Sequence, residues 1–386
     1  MFKLHRHTIP NTAFLILFPG NFLYHTLVNA EVIAPVLGRY LGLVTTSLAI
    51  PLLASYGVFI RGDQQRVLRY DYAFAAFTSY LVLITALNFS LGAQPLIVFS
   101  HLASVNYFIV FYLLFRSLNF TTKRFQVINS FSFLLMSGTV ISLTQNGVFL
   151  LILNHATKEH ASYQFIAVIF ILTAVLILSL QSSITKRIFI YLLTAIVLFL
   201  NGARTEFFSF CLLAMVLESL KIRHKRVLTV ALLASFSGVY LIIQSIKHLL
   251  PDNRVIRLIL ASHGDGSARS RALLNQNAWT TILDNPFLGD YGNYEQGGYA
   301  HNLLSIWVDF GFFGLLFYLC LLFFATISII RSASATETFR HYRDVSICLI
   351  IVCWFSLALA KSFDYLLVPA ALGMFANYSN RIQRPR

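Results

Sequence analysis

Apolar and polar positions alternate along this chain in long blocks. Apolar runs of roughly 15 to 25 residues fall near 12–30, 40–60, 72–91, 97–115, 126–143, 163–181, 188–201, 206–220, 227–245, 303–330, 345–360 and 364–379. At a rise of about 1.5 Å per residue, such runs suit helices that cross a hydrocarbon layer about 30 Å thick. The pattern predicts twelve transmembrane helices. The runs at 188–201 and 206–220 are short for a span, and 303–330 is long enough to tilt or to extend beyond the bilayer. One interruption stands apart, a polar stretch over 245–302 between the ninth and tenth spans. The expected fold class is therefore an all-α integral membrane protein. Residues 1–386 form a single polytopic membrane domain, with one large loop at 245–302 that contains short helices.

Composition agrees, because 57% of residues are hydrophobic and only 11% are charged, against about 25% charged in soluble domains. The net charge of +14 would suit a nucleic-acid binder, but the basic residues sit in short clusters between apolar runs, not on one face of a soluble fold. No nucleic-acid partner is expected. With a cytoplasmic amino terminus, 20 of the 29 Lys and Arg residues fall on the cytoplasmic side, as the positive-inside rule requires. Both termini are then cytoplasmic and the 245–302 loop lies on the outer side. Of the nine exceptions, Lys247, Arg254, Arg257, Arg269 and Arg271 are in that loop, and the others are Arg39, Lys158, Arg204 and Lys361. The first apolar run has no small-residue cleavage site, and its Pro19-Gly20 reads as a kinked first helix. Cys211, Cys320, Cys348 and Cys353 fall inside expected helices without metal-ligand spacing and read as packing residues.

Within the loop, Val255 to Leu260 reads either as an interfacial helix with Arg254 and Arg257 toward headgroups or as an extension of the ninth span. Ser267 is a suitable N-cap for a helix to about Leu283, with Leu274, Ala278, Trp279 and Ile282 on one face. Pro286 stops it. The stretch from Gly289 to Gly298 has no period and reads as a loop that delivers the chain to His301, at the mouth of the tenth span.

The loop arginines suit an anionic substrate held near the membrane surface. A guanidinium presents a planar fork of donors that matches phosphate and pyrophosphate oxygens. The competing reading has them on anionic headgroups or paired with Asp252, Asp265 and Asp284. Arg269 and Arg271, two residues apart on a helix, point roughly 200° from each other, so only one of them faces a site. Arg204, in Asn201-Gly202-Ala203-Arg204-Thr205-Glu206-Phe207, lies at an outer turn where a charge near hydrocarbon points into a cavity or pairs, here with Glu206. His301 is the candidate general base, since imidazole titrates near neutrality and accepts a proton from a sugar hydroxyl. Tyr299 and Asn302 flank it. A helix-capping or packing role for His301 is the alternative. His25, His101, His155, His160, His248 and His263 lack such neighbours in sequence and receive no role. Asp252, Asp265, Asp284 and Asp290 are scattered, without an Asp-X-Asp pair, so no metal is expected.

The run from Arg269 to Trp279, then Asn285-Pro286-Phe287-Leu288-Gly289, His301-Asn302-Leu303-Leu304 and Gly311-Phe312-Phe313-Gly314-Leu315-Leu316, resembles the periplasmic loop and following helix of the O-antigen polymerase and O-antigen ligase superfamily. Gly202-Ala203-Arg204-Thr205-Glu206 is similar to that superfamily's other arginine site, and the resemblance covers about residues 190–330. It implies a metal-independent membrane glycosyltransferase without a cofactor, in the bacterial inner membrane with its active loop periplasmic. By the resemblance His301 activates the acceptor hydroxyl, while Arg204 and one of Arg269 or Arg271 bind undecaprenyl pyrophosphate. Arg254, Arg257, Tyr299 and Asn302 are further substrate-binding candidates. The implied partners are an undecaprenyl-pyrophosphate-linked oligosaccharide as donor and as acceptor, membrane lipid and a chain-length regulator protein. The favoured activity is the polymerase of lipopolysaccharide biosynthesis, which moves a lipid-linked glycan onto a new lipid-linked repeat unit. The alternative is the ligase that transfers glycan to the lipid A core. Eight residues, not nine, separate Asn302 from Gly311, a departure from the ligase pattern that bears on the register of the tenth span. A lipid-linked oligosaccharide flippase or other transporter is a third reading, but it would place its cations along a path within the helices.

Overall fold

The computed structural model describes residues 8–37, 40–61, 66–149, 162–221, 255–256, 266–294, 298–332 and 339–383. Its helices in chain order are α1 (Thr8–Leu15), α2 (Asn21–Asn29), α3 (Tyr40–Arg61), α4 (Arg69–Ser90), α5 (Pro95–Ser117), α6 (Lys123–Ser142), α7 (Tyr163–Leu180), α8 (Ile184–Leu200) and α9 (Arg204–Lys221). They continue as α10 (Gly266–Asp284), α11 (Leu304–Arg331), α12 (Arg340–Leu359) and α13 (Leu367–Ile382). A two-residue hairpin, β1 (Thr144–Gln145) against β2 (Val148–Phe149), is the sheet among the described residues.

Among the described residues, seven helices are long and apolar enough to cross a membrane: residues Tyr40–Val58 of α3, and α4, α5, α6, α7, α11 and α12. Length and apolarity of the described helices therefore support seven spans, and the twelve expected are not confirmed. The first expected span is helical throughout Thr8–Asn29, with a π-helical turn over Ile16–Gly20 around Pro19, where the kink was expected. The runs at 188–201 and 206–220 form α8, of 17 residues, and α9, which begins at Arg204 and ends at Lys221 with Glu206 and Glu218 between. The last run forms α13, of only 16 residues. The expected ninth span, 227–245, lies outside the described residues, as do Arg254 and Arg257.

The chain divides into two compact units, residues 1–14, 41–119 and 266–386 in one and 15–40 and 120–265 in the other. In the second unit α7 is the core, buried along nearly its whole length. Phe22 packs edge-on against Phe170 at 5.8 Å and is stacked with Phe149 at 6.2 Å. Arg187 on α8 forms a two-pronged pair with Glu218 on α9, Nε to Oε1 at 2.6 Å and Nη2 to Oε2 at 2.9 Å.

In the first unit, α13 is the buried element and α5 its neighbour. Asn377 donates to the carbonyls of Phe115 and Leu118 at 2.9 and 2.8 Å, accepting work that water would do at an exposed helix end. The Arg116 guanidinium, fully buried on α5, binds Asp71 of α4 at 3.0 Å, and the Tyr112 hydroxyl donates to the same carboxylate. The outward faces carry exposed Ile50, Leu53, Leu83, Leu87, Phe99 and Phe323, the surface that a lipid-facing helix presents where there is no water to avoid.

The break in α11 positions the loop. Gly311 has φ 68° and ψ −176° in the middle of the helix. Such an interruption frees backbone groups that hydrocarbon cannot satisfy, and here each of three finds a partner. The Val308 carbonyl accepts from Asp290 N–H at 2.7 Å, the Phe310 carbonyl from the Tyr80 hydroxyl at 2.8 Å, and Phe312 N–H donates to the Phe287 carbonyl at 3.1 Å. The segment Asn285 to Asp290 thus lies against the break. A β-carbon at Gly311 would collide with the Phe287 carbonyl oxygen, and one at Gly289, φ 72°, with that of Val308. Two glycines from separate motifs are required by one backbone contact.

α10 matches the helix expected over 267–283, with two corrections. It begins at Gly266, so Ser267 lies within its first turn and is not the N-cap. Its inner face is Leu274, Ala278 and Ile282 at strict four-residue spacing; Trp279 is 49% exposed and meets Trp307 edge-on at 6.2 Å. Ala278 and Ile282 pack with Ala300 and Val308, which joins α10 to the start of α11.

Candidate functional site

His301 sits two residues before the N-cap of α11, and the local sequence explains why it is held there. Asn302 closes the helix start: its Oδ1 accepts from Leu304 N–H at 2.9 Å and its Nδ2 donates to Asn275 Oδ1 of α10 at 3.1 Å. Both polar atoms of Asn302 are thereby engaged in holding the start of α11 against α10. Leu303 N–H donates to the Leu357 carbonyl at 3.1 Å, and Phe363 N–H to Ser305 Oγ at 2.9 Å. These bonds bring the end of α12 and the turn after it, residues 360–364, against the His301 segment.

The His301 ring is half-buried and lies 4.8 Å from the Tyr299 ring. Among the described residues it makes no hydrogen bond, which leaves its nitrogens available. Burial lowers its pKa below the ordinary imidazole value, and the positive charges of Arg271 and Lys361 lower it further, against a smaller opposing effect of Asp364. These effects favour the neutral ring, the form that accepts a proton.

Arg271 is half-buried and within electrostatic reach of His301, whereas Arg269 is exposed. That is the division expected of residues on roughly opposite sides of a helix. Tyr299 is half-buried, and burial raises its pKa, so it remains a neutral hydroxyl. Arg204 is the first residue of α9, partly buried, with Glu206 buried at 1% exposure in the same turn. It belongs to the second unit, while His301, Tyr299, Asn302 and Arg271 are gathered in the first.

Sequence reading missed four residues of this region. Lys361 is 6% exposed, with its ammonium 5.3 Å from the centre of the Tyr365 ring. Its signal in the sequence is that the charge pattern leaves it among the few basic residues expected on the outer side. Asp364 accepts from Ser362 and, at 3.5 Å, from Ser104 of α5. Asp309 is buried six residues into α11, where Gly292 N–H donates to Oδ1 at 3.1 Å and the Tyr294 hydroxyl to Oδ2 at 3.0 Å. His101 of α5 completes the group, with Nδ1 2.8 Å from the Tyr291 hydroxyl and Nε2 3.6 Å from Asp309. This second cluster ties residues 291–294 to α5 and α11, and with them one wall of a cavity that Tyr299 also lines. No sequence spacing joins positions 101, 294 and 309.

The arrangement can do two things chemically: accept a proton at His301, and bind an anion at Arg271 and Lys361. Among the described residues no group of His, Cys, Asp and Glu could hold a metal ion. No protein-family model matches the chain, and no curated protein matches it.

Proposed function

We propose that this protein is a membrane glycosyltransferase that polymerises lipid-linked glycan repeat units on the outer face of the bacterial inner membrane. The observation that supports this reading best is the neutral, half-buried His301 beside two cations, Arg271 and Lys361. A base and an anion clamp side by side are what transfer from a pyrophosphate-linked sugar needs.

In the proposed reaction the acceptor hydroxyl oxygen bonds to the donor's anomeric carbon as its proton passes to a ring nitrogen of His301. The bond from that carbon to the pyrophosphate oxygen breaks, and its electron pair leaves with undecaprenyl pyrophosphate. Arg271 and Lys361 neutralise the charge that grows on the leaving oxygen. A guanidinium does this with two parallel hydrogen bonds and an ammonium as a point charge. Arg204 is proposed as a further pyrophosphate contact. No metal is assigned to the reaction.

The test is incubation of purified protein in lipid nanodiscs with undecaprenyl-pyrophosphate-linked repeat unit, with and without EDTA. A ladder of lengthening lipid-linked products, unchanged by EDTA, is expected. Transfer only to added lipid A core would make the protein a ligase, and no transfer to either acceptor would remove the glycosyltransferase reading.

A further inference from the structure

A cavity of about 280 Å³ lies between α10, residues 293–294 and 298–300, and α11, and its chemistry differs from that of the cationic clamp. Its polar lining among the described residues is Asn277, Thr281, Asn293, Tyr294 and Tyr299; the other described lining residues are apolar or glycine, and none of the described ones carries a formal charge. Its volume is just under the low end of small-molecule sites, about 300 to 1,000 Å³, a size for one ring-sized group.

Uncharged amides and hydroxyls beside aromatic faces suit a sugar. Amides and hydroxyls both donate and accept, as sugar hydroxyls do, while an aromatic ring covers the apolar face of a pyranose. The two tyrosine rings stand 6.4 Å apart with 58° between their planes. Tyr294 is held by its bond to Asp309, and Asn293 Nδ2 by Asp290 at 2.6 Å. Thr281 Oγ1 donates to the Asn277 carbonyl at 3.1 Å, which leaves its lone pairs open. The pocket is therefore prepared before anything enters it. Tyr299 is shared: one wall of the cavity and the ring 4.8 Å from His301.

We propose that this cavity is the acceptor-sugar subsite, which takes one uncharged pyranose at the non-reducing end of the lipid-linked glycan and directs one of its hydroxyls to His301. The assignment rests on the glycosyltransferase reading above. Asn277 and Thr281, one turn apart on α10, read the sugar's hydroxyls, and Tyr299 sets its distance from the base.

Two measurements test it on the full chain in nanodiscs. In saturation-transfer NMR the probe is the lipid-free repeat-unit oligosaccharide released by mild acid from the native lipid-linked precursor. Saturation should reach the protons of its terminal ring, fall at least tenfold in Asn277→Ala and in the cavity-filling Thr281→Trp, and resist competition by glucuronic acid. In the polymerisation assay Asn277→Ala should raise KM for the acceptor at least tenfold and leave KM for the donor unchanged. Wild-type binding and acceptor KM in Asn277→Ala, or displacement by glucuronic acid, would overturn the subsite. If native protein makes no polymer yet binds the oligosaccharide in a manner lost with Asn277, the subsite stands and the polymerase reading falls. If polymer is made while Asn277→Ala and Thr281→Trp keep native acceptor kinetics, the polymerase reading stands and the subsite falls.

Discussion

At the scale of single residues, the proposed chemistry depends on His301 staying neutral. As a general base it should account for about 10² to 10⁴-fold in turnover, so His301→Ala should lose that much while its yield and elution in size exclusion remain native. Near-native turnover in that variant would return His301 to a packing role. The protonated ring cannot accept a hydroxyl proton, so activity should fall as pH drops through a pKa below 6.5, lowered first by burial and then by Arg271 and Lys361. Arg271→Ala or Lys361→Ala should move that acid limb to higher pH by removing a repelling charge, and Asp364→Asn should move it lower. A limb that stays in place in all three variants would separate these residues from His301. Arg271→Ala should also cost about 10 to 10²-fold in activity, the worth of a hydrogen bond to a charged group, whereas the exposed Arg269→Ala should cost little. Arg204→Lys should rescue incompletely relative to Arg204→Ala, because lysine keeps the charge and loses the fork. Full activity in Arg204→Ala would remove it from the site.

At the scale of elements, the break in α11 is what allows the loop to dock on a membrane helix. An L side chain at Gly311 meets two penalties: a positive-φ extended backbone that is essentially glycine-only, of order 1 to 3 kcal/mol, and collision with the Phe287 carbonyl. Gly311→Ala should therefore lower the thermal unfolding temperature in detergent and increase protease sensitivity of the Asn285 to Asp290 segment. Native stability and native proteolysis in Gly311→Ala would show that α11 can close its break without that segment. Asn302→Ala should cost roughly 0.5 to 2 kcal/mol as a lost helix cap, and Asn302→Asp should restore much of it. Recovery of activity by Asn302→Asp in step with stability would mark Asn302 as a positioning residue and not a substrate contact.

At the scale of the whole molecule, the distribution of charge predicts orientation. The buried Arg116–Asp71 and Arg187–Glu218 pairs show that several basic residues counted toward topology also have structural partners. Orientation thus needs its own measurement. In a chain with its native cysteines replaced, a cysteine at the exposed Gln276 of α10 should react with an impermeant maleimide in intact spheroplasts, and one at Arg384 only after lysis. Labelling of Gln276→Cys only after lysis would invert the membrane topology and move the site to the cytoplasm.

Helical architecture was legible in the chain because hydrocarbon-length apolar runs have few other ways to satisfy their backbone. So were the helix at 266–284, its end before Pro286, and the opposite facing of Arg269 and Arg271, since periodicity and proline geometry act over a few residues. The sequence alone also drew attention to His301 through its place at a helix mouth. The number of spans was not legible to the same degree, because α8, α9 and α13 are short or charged at their ends and rely on neighbours as well as on length. Tertiary structure alone decided that Gly289 and Gly311 serve one contact, that Asn302 joins the start of α11 to α10, and that Lys361 and Asp364 lie within electrostatic reach of His301. It also decided that His101 and Asp309, from α5 and α11, hold the 291–294 segment. Each of these joins positions far apart in the chain through packing that no local pattern encodes, at a cost or gain that exists only once the helices have met.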